Sequence, residues 1–185
     1  LHHIDASKKA YAAAIYLIQE TENTRESNLI FAKTRLAPNK EISIPRLEIM
    51  AVLIGVRCME YVTKGLKINL HGRYLFSDSQ CVLKWIKTEK GLNVFVENRV
   101  TEIKGYRDIV FGLISTKKNP ADIGSTGITA NQLEYCKLWW HGPKWLSHPV
   151  NLCKNNKVNE MMHDCPEKEW MSEIKNKESM MISQT

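Results

Sequence analysis

The chain has 185 residues, a length that suits one domain with an extra tail and excludes two large ones. With 43% hydrophobic and 25% charged residues it has globular composition, which excludes a wholly disordered chain. The formal net charge of +6 is uneven: residues 151–185 hold 5 Lys against 6 acids, leaving 21 Lys and Arg against 14 acids in residues 1–150, so the folded part carries the positive field that attracts polyanions.

The chain opens on LHHIDAS, with neither an initiator Met nor a basic-then-apolar leader pattern, and reads as an excised piece of a longer chain. LHHID suggests a short, truncated first strand. YAAAIYLIQ (11–19) is a second apolar run with β-branched and aromatic members; the polar ETENTRESN then reads as a long turn before a third strand, LIFAKTRL. In EISIPRLEIMAVLIGVRCMEYVTKG, Pro45 suits a first helical turn and Gly65 a C-terminal stop, with about five turns of helical periodicity between them.

RYLFSD (73–78) is a short buried strand, after which Ser77 to Gln80 can cap a helix whose apolar positions are Val82, Leu83 and Ile86. NVFVENRVTEIKG is a further helix, with Val94, Val96, Val100 and Ile103 on one side, and DIVFGLIS a last strand. In NPADIGSTG, Asn119 suits an N-cap and Pro120 the first position of a short helix. LWWHGPKWL then sets Trp139, Trp140 and Trp145 close together, positions that suit packing of a C-terminal extension (129–150) onto a domain spanning 1–128. Residues 151–185 read as a disordered polar tail.

No apolar stretch, Ile49 to Val56 included, approaches the roughly 20 residues of a membrane span. The 5 Cys, an odd number with no CxxC pair, suggest packed thiols of an intracellular protein rather than a disulfide framework. Cys136, His141, His148, Cys153, His163 and Cys165 fit no compact zinc-ligand spacing.

Four acids stand out. Glu48 is the sole charge in LEIMAVLIGV, with Ala51 and Val52 where a helical ion-pair partner would stand. Asp78 ends a buried strand, Asp5 closes the first strand, and Asp122 lies just inside the last short helix. Each has a plain reading as a turn, cap or helix-dipole residue. Taken together, at spacings of 43, 30 and 44 residues, they can converge if the strands ending at Asp5 and Asp78 are neighbours in one sheet. Convergent carboxylates repel unless cations hold them, and hard oxygen donors suit Mg²⁺ or Mn²⁺. Two such ions about 4 Å apart are a recurring device for in-line displacement at phosphorus.

The segments DASKKAYAAAIY, ISIPRLEIMAVLIGVR, FSDSQCVLKWIK, FVENRVTEI, STKKNPADIGSTG and LWWHGPKWL, in this order, resemble the ribonuclease H-like region of BEL/Pao retrotransposon polyproteins, over about residues 1 to 146. The resemblance implies an α/β ribonuclease H-like fold: a mixed five-stranded sheet, its first three strands antiparallel, flanked by helices. It implies that Asp5, Glu48, Asp78 and Asp122 are catalytic and bind two Mg²⁺ or Mn²⁺ ions. The implied reaction is hydrolysis of the RNA strand of an RNA–DNA hybrid during reverse transcription, leaving 3′-hydroxyl and 5′-phosphate ends. Neighbouring reverse transcriptase and integrase regions in the parent polyprotein are the implied partners, with no membrane.

Ser7, Lys8, Ser79, Gln80, Lys117, Lys118 and Asn119 are candidate nucleic-acid contacts, although capping is the plainer duty of the Ser79 region. The chain departs from the family pattern at Leu1 and His3, which stand where His and Phe are usual. Phe111 replaces a Trp and Thr126 an Arg. These changes keep open a silent remnant that binds nucleic acid or nothing. An integrase-like transferase would need its last acid on a long helix, whereas NPAD leads into a short, Gly-interrupted one.

Overall fold

The computed structural model of the protein describes residues 1–67 and 70–147. Five strands form one sheet, β1 (His2–Ala6), β2 (Ala10–Glu20), β3 (Arg25–Leu36), β4 (Arg73–Ser77) and β5 (Ile109–Leu113), in the order β3-β2-β1-β4-β5. β1–β2 and β2–β3 pair antiparallel; β1–β4 and β4–β5 pair parallel. Parallel neighbours require crossovers. α1 (Ile44–Leu66) supplies the first, and α2 (Gln80–Lys87) with α3 (Val94–Gly105) the second. Three short helices follow β5: α4 (Ala121–Thr126), α5 (Ala130–Glu134) and α6 (Lys137–His141).

The mixed five-stranded sheet flanked by helices, its first three strands antiparallel, is the architecture expected from the sequence motifs. β1 is brief, yet it lies at the centre of the sheet, paired on both sides, because parallel pairing with β4 and antiparallel pairing with β2 satisfy its backbone.

Alternation along the strands sends side chains to two faces. Ile4, Tyr11, Ala13 and Leu75 join the core beneath α1, with Val52, Val56 and Met59 of α1, Trp85 of α2, and Val96, Val100 and Ile103 of α3. Gly55 lets α1 approach β1 closely, since a Cβ there would stand 2.7 Å from Ile4 Cγ2. The other face presents Ala12, Tyr16 and Phe76 to the C-terminal segment. Trp145 meets Phe76 edge-on at 5.4 Å, and the Tyr16 hydroxyl donates to the Trp139 carbonyl at 2.7 Å. The extension thus packs by Trp139 and Trp145, while Trp140 stays 42% exposed.

Several local expectations are corrected. The long turn after YAAAIYLIQ is four residues, Thr21 to Thr24: Glu20 pairs with Arg25, so Ser27 and Asn28 are drawn into β3 by cross-strand pairing despite their weak β propensity. Gly65 does not stop α1. The helix runs through it, and Lys67 terminates the helix in the left-handed region at φ 51°. Val94 is 64% exposed, because the buried stripe of α3 is Val96, Val100 and Ile103 at helical spacing. Pro120, not Asn119, is the N-cap position of α4, although the Asn119 Oδ1 accepts from the Ala121 N–H at 3.2 Å and does a cap's work.

Cys58, Cys81 and Cys136 are free thiols. Cys153, Cys165, His148, His163 and the tail read from residue 151 onward lie outside the described residues. Among the described residues no helix is long and apolar enough to cross a membrane.

Candidate functional site

β1 and β4 run parallel with Ile4 opposite Ser77, so the next residue of each chain, Asp5 and Asp78, emerge side by side at the same end of the sheet. This adjacency follows from the crossover: two parallel neighbours end at one edge, the place where α/β sheets collect reactive groups. Asp122 arrives from α4, which lies on β1 and β2. Its companion Ser125, one helical turn later and 3% exposed, donates its hydroxyl to Asp5 Oδ2.

Burial pushes the Asp5 carboxyl up to about 6; the Ser125 hydroxyl opposes that shift, while the neighbouring Asp78 and Asp122 charges reinforce it. Burial also raises Asp122, with the Asp78 charge adding to it. Burial is the larger cause for both acids, and the mutual charge adds to it. Asn119, 1% exposed, ties the group to the sheet: its Nδ2 donates to the Ile4 carbonyl at 2.9 Å and lies 3.4 Å from Asp78 Oδ1.

Glu48 stands half-buried in the second turn of α1. β3 ends with Leu36 opposite Ala10, close to where β1 ends, so the chain enters α1 from the edge of the sheet that carries Asp5 and Asp78. Gly55 sits over Ile4, and Glu48 lies seven residues earlier on the same helical face, toward that edge. Three acids therefore form one electrostatic group, and the fourth approaches the same edge from the α1 side. Among the described residues no group of three or more His, Cys, Asp or Glu is drawn tightly enough to hold a metal ion as it stands. The donor set nevertheless fits a hard divalent cation, since all four are carboxylates and two are raised by burial and mutual charge.

The candidate nucleic-acid contacts divide by exposure. Lys8, Lys117 and Lys118 are exposed, the first in the β1–β2 turn just beyond Asp5 and the others just before Asn119. Ser7 is half-buried and donates to the Ser125 carbonyl at 2.8 Å. Ser79 caps α2 by accepting from the Val82 N–H at 3.3 Å, and Gln80 begins that helix with a buried Oε1 that has no hydrogen-bond partner among the described residues.

Ser125 and the linking role of Asn119 escaped the sequence reading. The available signal was a small polar residue one turn after Asp122, on the same side of a helix too short to have a core of its own.

The chain is similar to two solved structures. RNase H1 from the halophilic archaeon Halobacterium salinarum NRC-1 aligns at 13% identity and TM-score 0.41, covering 65% of this chain and 86% of its own. LC11-RNase H1, solved in complex with an RNA/DNA hybrid, aligns at 16% identity and TM-score 0.44, covering 65% of this chain and 88% of its own. No curated protein matches the chain. Residues 1–79, which carry β1 to β4 with Asp5, Glu48 and Asp78, match the model of the Pao retrotransposon-like RNaseH-like domain, the family that the sequence motifs resemble.

Proposed function

We propose that the chain is a retrotransposon-derived ribonuclease H-type endonuclease that hydrolyses the RNA strand of RNA–DNA hybrids. The observation that carries this reading is the meeting of Asp5, Asp78 and Asp122 at one edge of the β1–β4 pair, with the Asp5 carboxyl pushed up by burial and by its acidic neighbours. Asp5, Glu48, Asp78 and Asp122 would hold two Mg²⁺ or Mn²⁺ ions. Bound there, such ions would supply an activated water and charge stabilisation for the leaving oxygen.

The chain's own residues do the rest. Ser125 and Asn119 restrain Asp5 and Asp78, so the carboxylates are placed before substrate arrives. Lys8, in the β1–β2 turn, and Lys117 and Lys118, in the short 3-10 turn before Asn119, would meet backbone phosphates, which would make hybrid binding salt-dependent. Preference for the RNA strand would come from 2′-hydroxyl contacts in the minor groove. Reverse transcriptase and integrase regions of a parent polyprotein would be its neighbours.

A second reading, a nucleic-acid-binding remnant without activity, is favoured by Thr126. Where the family pattern has Arg, this exposed residue turns its hydroxyl to the Asp122 carbonyl at 2.6 Å and adds no cation beside the acids.

Incubation of the chain with a labelled RNA–DNA hybrid and Mg²⁺ or Mn²⁺, beside Asp78→Asn, separates the two. Cutting by the parent and a loss of at least about 100-fold in the variant is expected. Equal cutting by both, or by neither, removes the enzyme reading. A gel shift across a salt series then tests binding alone.

A further inference from the structure

Resting on the reading just given, we propose that Ser125 is a positioning residue for the metal-binding carboxylate of Asp5, and that α4 serves to deliver this hydroxyl as well as Asp122. Ser125 is 3% exposed and its single hydroxyl proton faces two acceptors, Asp5 Oδ2 and the Asp122 carbonyl at 3.2 Å, with Asp5 the nearer. A buried hydroxyl on a carboxylate oxygen fixes which way that carboxylate turns.

Two further contacts hold α4 at the height that makes this possible. The Ser7 hydroxyl, two residues beyond Asp5, donates to the Ser125 carbonyl at 2.8 Å, and the Thr34 hydroxyl of β3 donates to the Gly124 carbonyl at 3.1 Å. Gly124 itself lies so close to the sheet that a Cβ would stand 2.9 Å from Ala12 Cβ and 3.5 Å from Trp139 Cη2. The helix is therefore wedged between β2 and the Trp139 ring. Without that hydroxyl, the side-chain contact of Asp5 with the neighbouring acid Asp78 would not tie it to α4. With Ser125 in place, one oxygen is tied to α4 and the carboxylate is set before any cation binds.

The test is a Mn²⁺ titration followed by electron paramagnetic resonance on the whole chain without substrate, with thermal unfolding of the metal-free protein in parallel. Ser125→Ala is expected to weaken Mn²⁺ binding by about 10-fold or more and to slow hybrid cleavage by a similar factor. Ser125→Thr, which keeps the hydroxyl, is expected to recover most of both. If the alanine variant does not fold, Ser125→Cys fills the same space with a much weaker donor and is expected to show the same loss.

A merely structural hydroxyl would lower the metal-free melting temperature and leave the Mn²⁺ dissociation constant alone; that result overturns the proposal. If the parent chain binds no Mn²⁺ and cuts no hybrid, the nuclease reading fails and this inference with it. If the parent does both and Ser125→Ala matches it, only this inference fails.

Discussion

His3 shows how one side chain can be wrong for its surroundings and still be retained. It is fully buried, stacked on Phe76 at 5.7 Å and edge-on to Tyr16 at 5.7 Å, and neither ring nitrogen finds a hydrogen-bond partner among the described residues. The pocket treats the imidazole as a phenyl ring, in keeping with the Phe that the family pattern has there. Burial depresses its pKa to about 3, so the folded chain keeps it neutral where the unfolded chain takes up a proton. The contribution to stability is complete above pH 6.5 and declines as pH falls from there toward 3. His3→Phe removes two unsatisfied buried nitrogens and is expected to stabilise the fold by about 1–2 kcal/mol in urea unfolding at pH 7. The same variant should flatten the loss of stability between pH 6 and about 4. No gain, or an unchanged acid slope, would show that the aromatic pocket tolerates the imidazole at no cost.

At the scale of elements, α4 is the part whose placement matters most and which has little stability of its own. Six residues are too few to form a helix in isolation, so its position comes from contacts with β2, β3 and the Trp139 ring. Gly124→Ala puts a methyl group against Ala12 and Trp139 and requires α4 to move outward. It is expected to cost about 1–3 kcal/mol in stability and to lower hybrid cleavage more steeply than stability alone explains, because Asp122 and Ser125 move with the helix. Unfolding by urea and single-turnover cleavage, measured on the same preparation, check the two effects separately.

The elements also show where a sequence is legible. α1 is readable because Pro45 at its start and a long apolar stripe agree over 23 residues, despite Gly55 and Gly65 within it. Its end is not: Gly65 reads as a stop, yet backbone pairing carries the helix one residue further before Lys67 turns left-handed. The β2–β3 turn departs from its local sequence for a related reason. Ser27 and Asn28 look like loop residues, but pairing with Ile18 and Leu17 across the sheet outweighs local preference.

For the whole molecule, the boundary read at residue 128 meets a fold that continues beyond it. Leu146 is fully buried, Trp145 sits on Phe76, and the His141 ring lies 3.2 Å from the Ser27 carbonyl. These contacts cover the sheet face that holds His3, Tyr16 and Phe76. Residues 1–128 alone are expected to lose cooperative thermal unfolding or to melt at least about 10 °C below residues 1–147, since an aromatic face of that kind would meet water. Calorimetry on the two lengths decides the matter; equal transitions would make 1–128 a self-sufficient domain.

Periodicity and the order of motifs determined the sheet-and-helix succession; Glu48 is conspicuous by itself as the sole charge in an apolar run, and the family resemblance joins Asp5, Asp78 and Asp122 to it. These signals did not reveal Ser125, the linking amide of Asn119, the room made by Gly124, or the mismatch of His3. Those depend on which residues face one another across parallel strands and under a six-residue helix. Distances between residues more than a hundred positions apart, such as Ser125 and Asp5, are set only when the crossovers close.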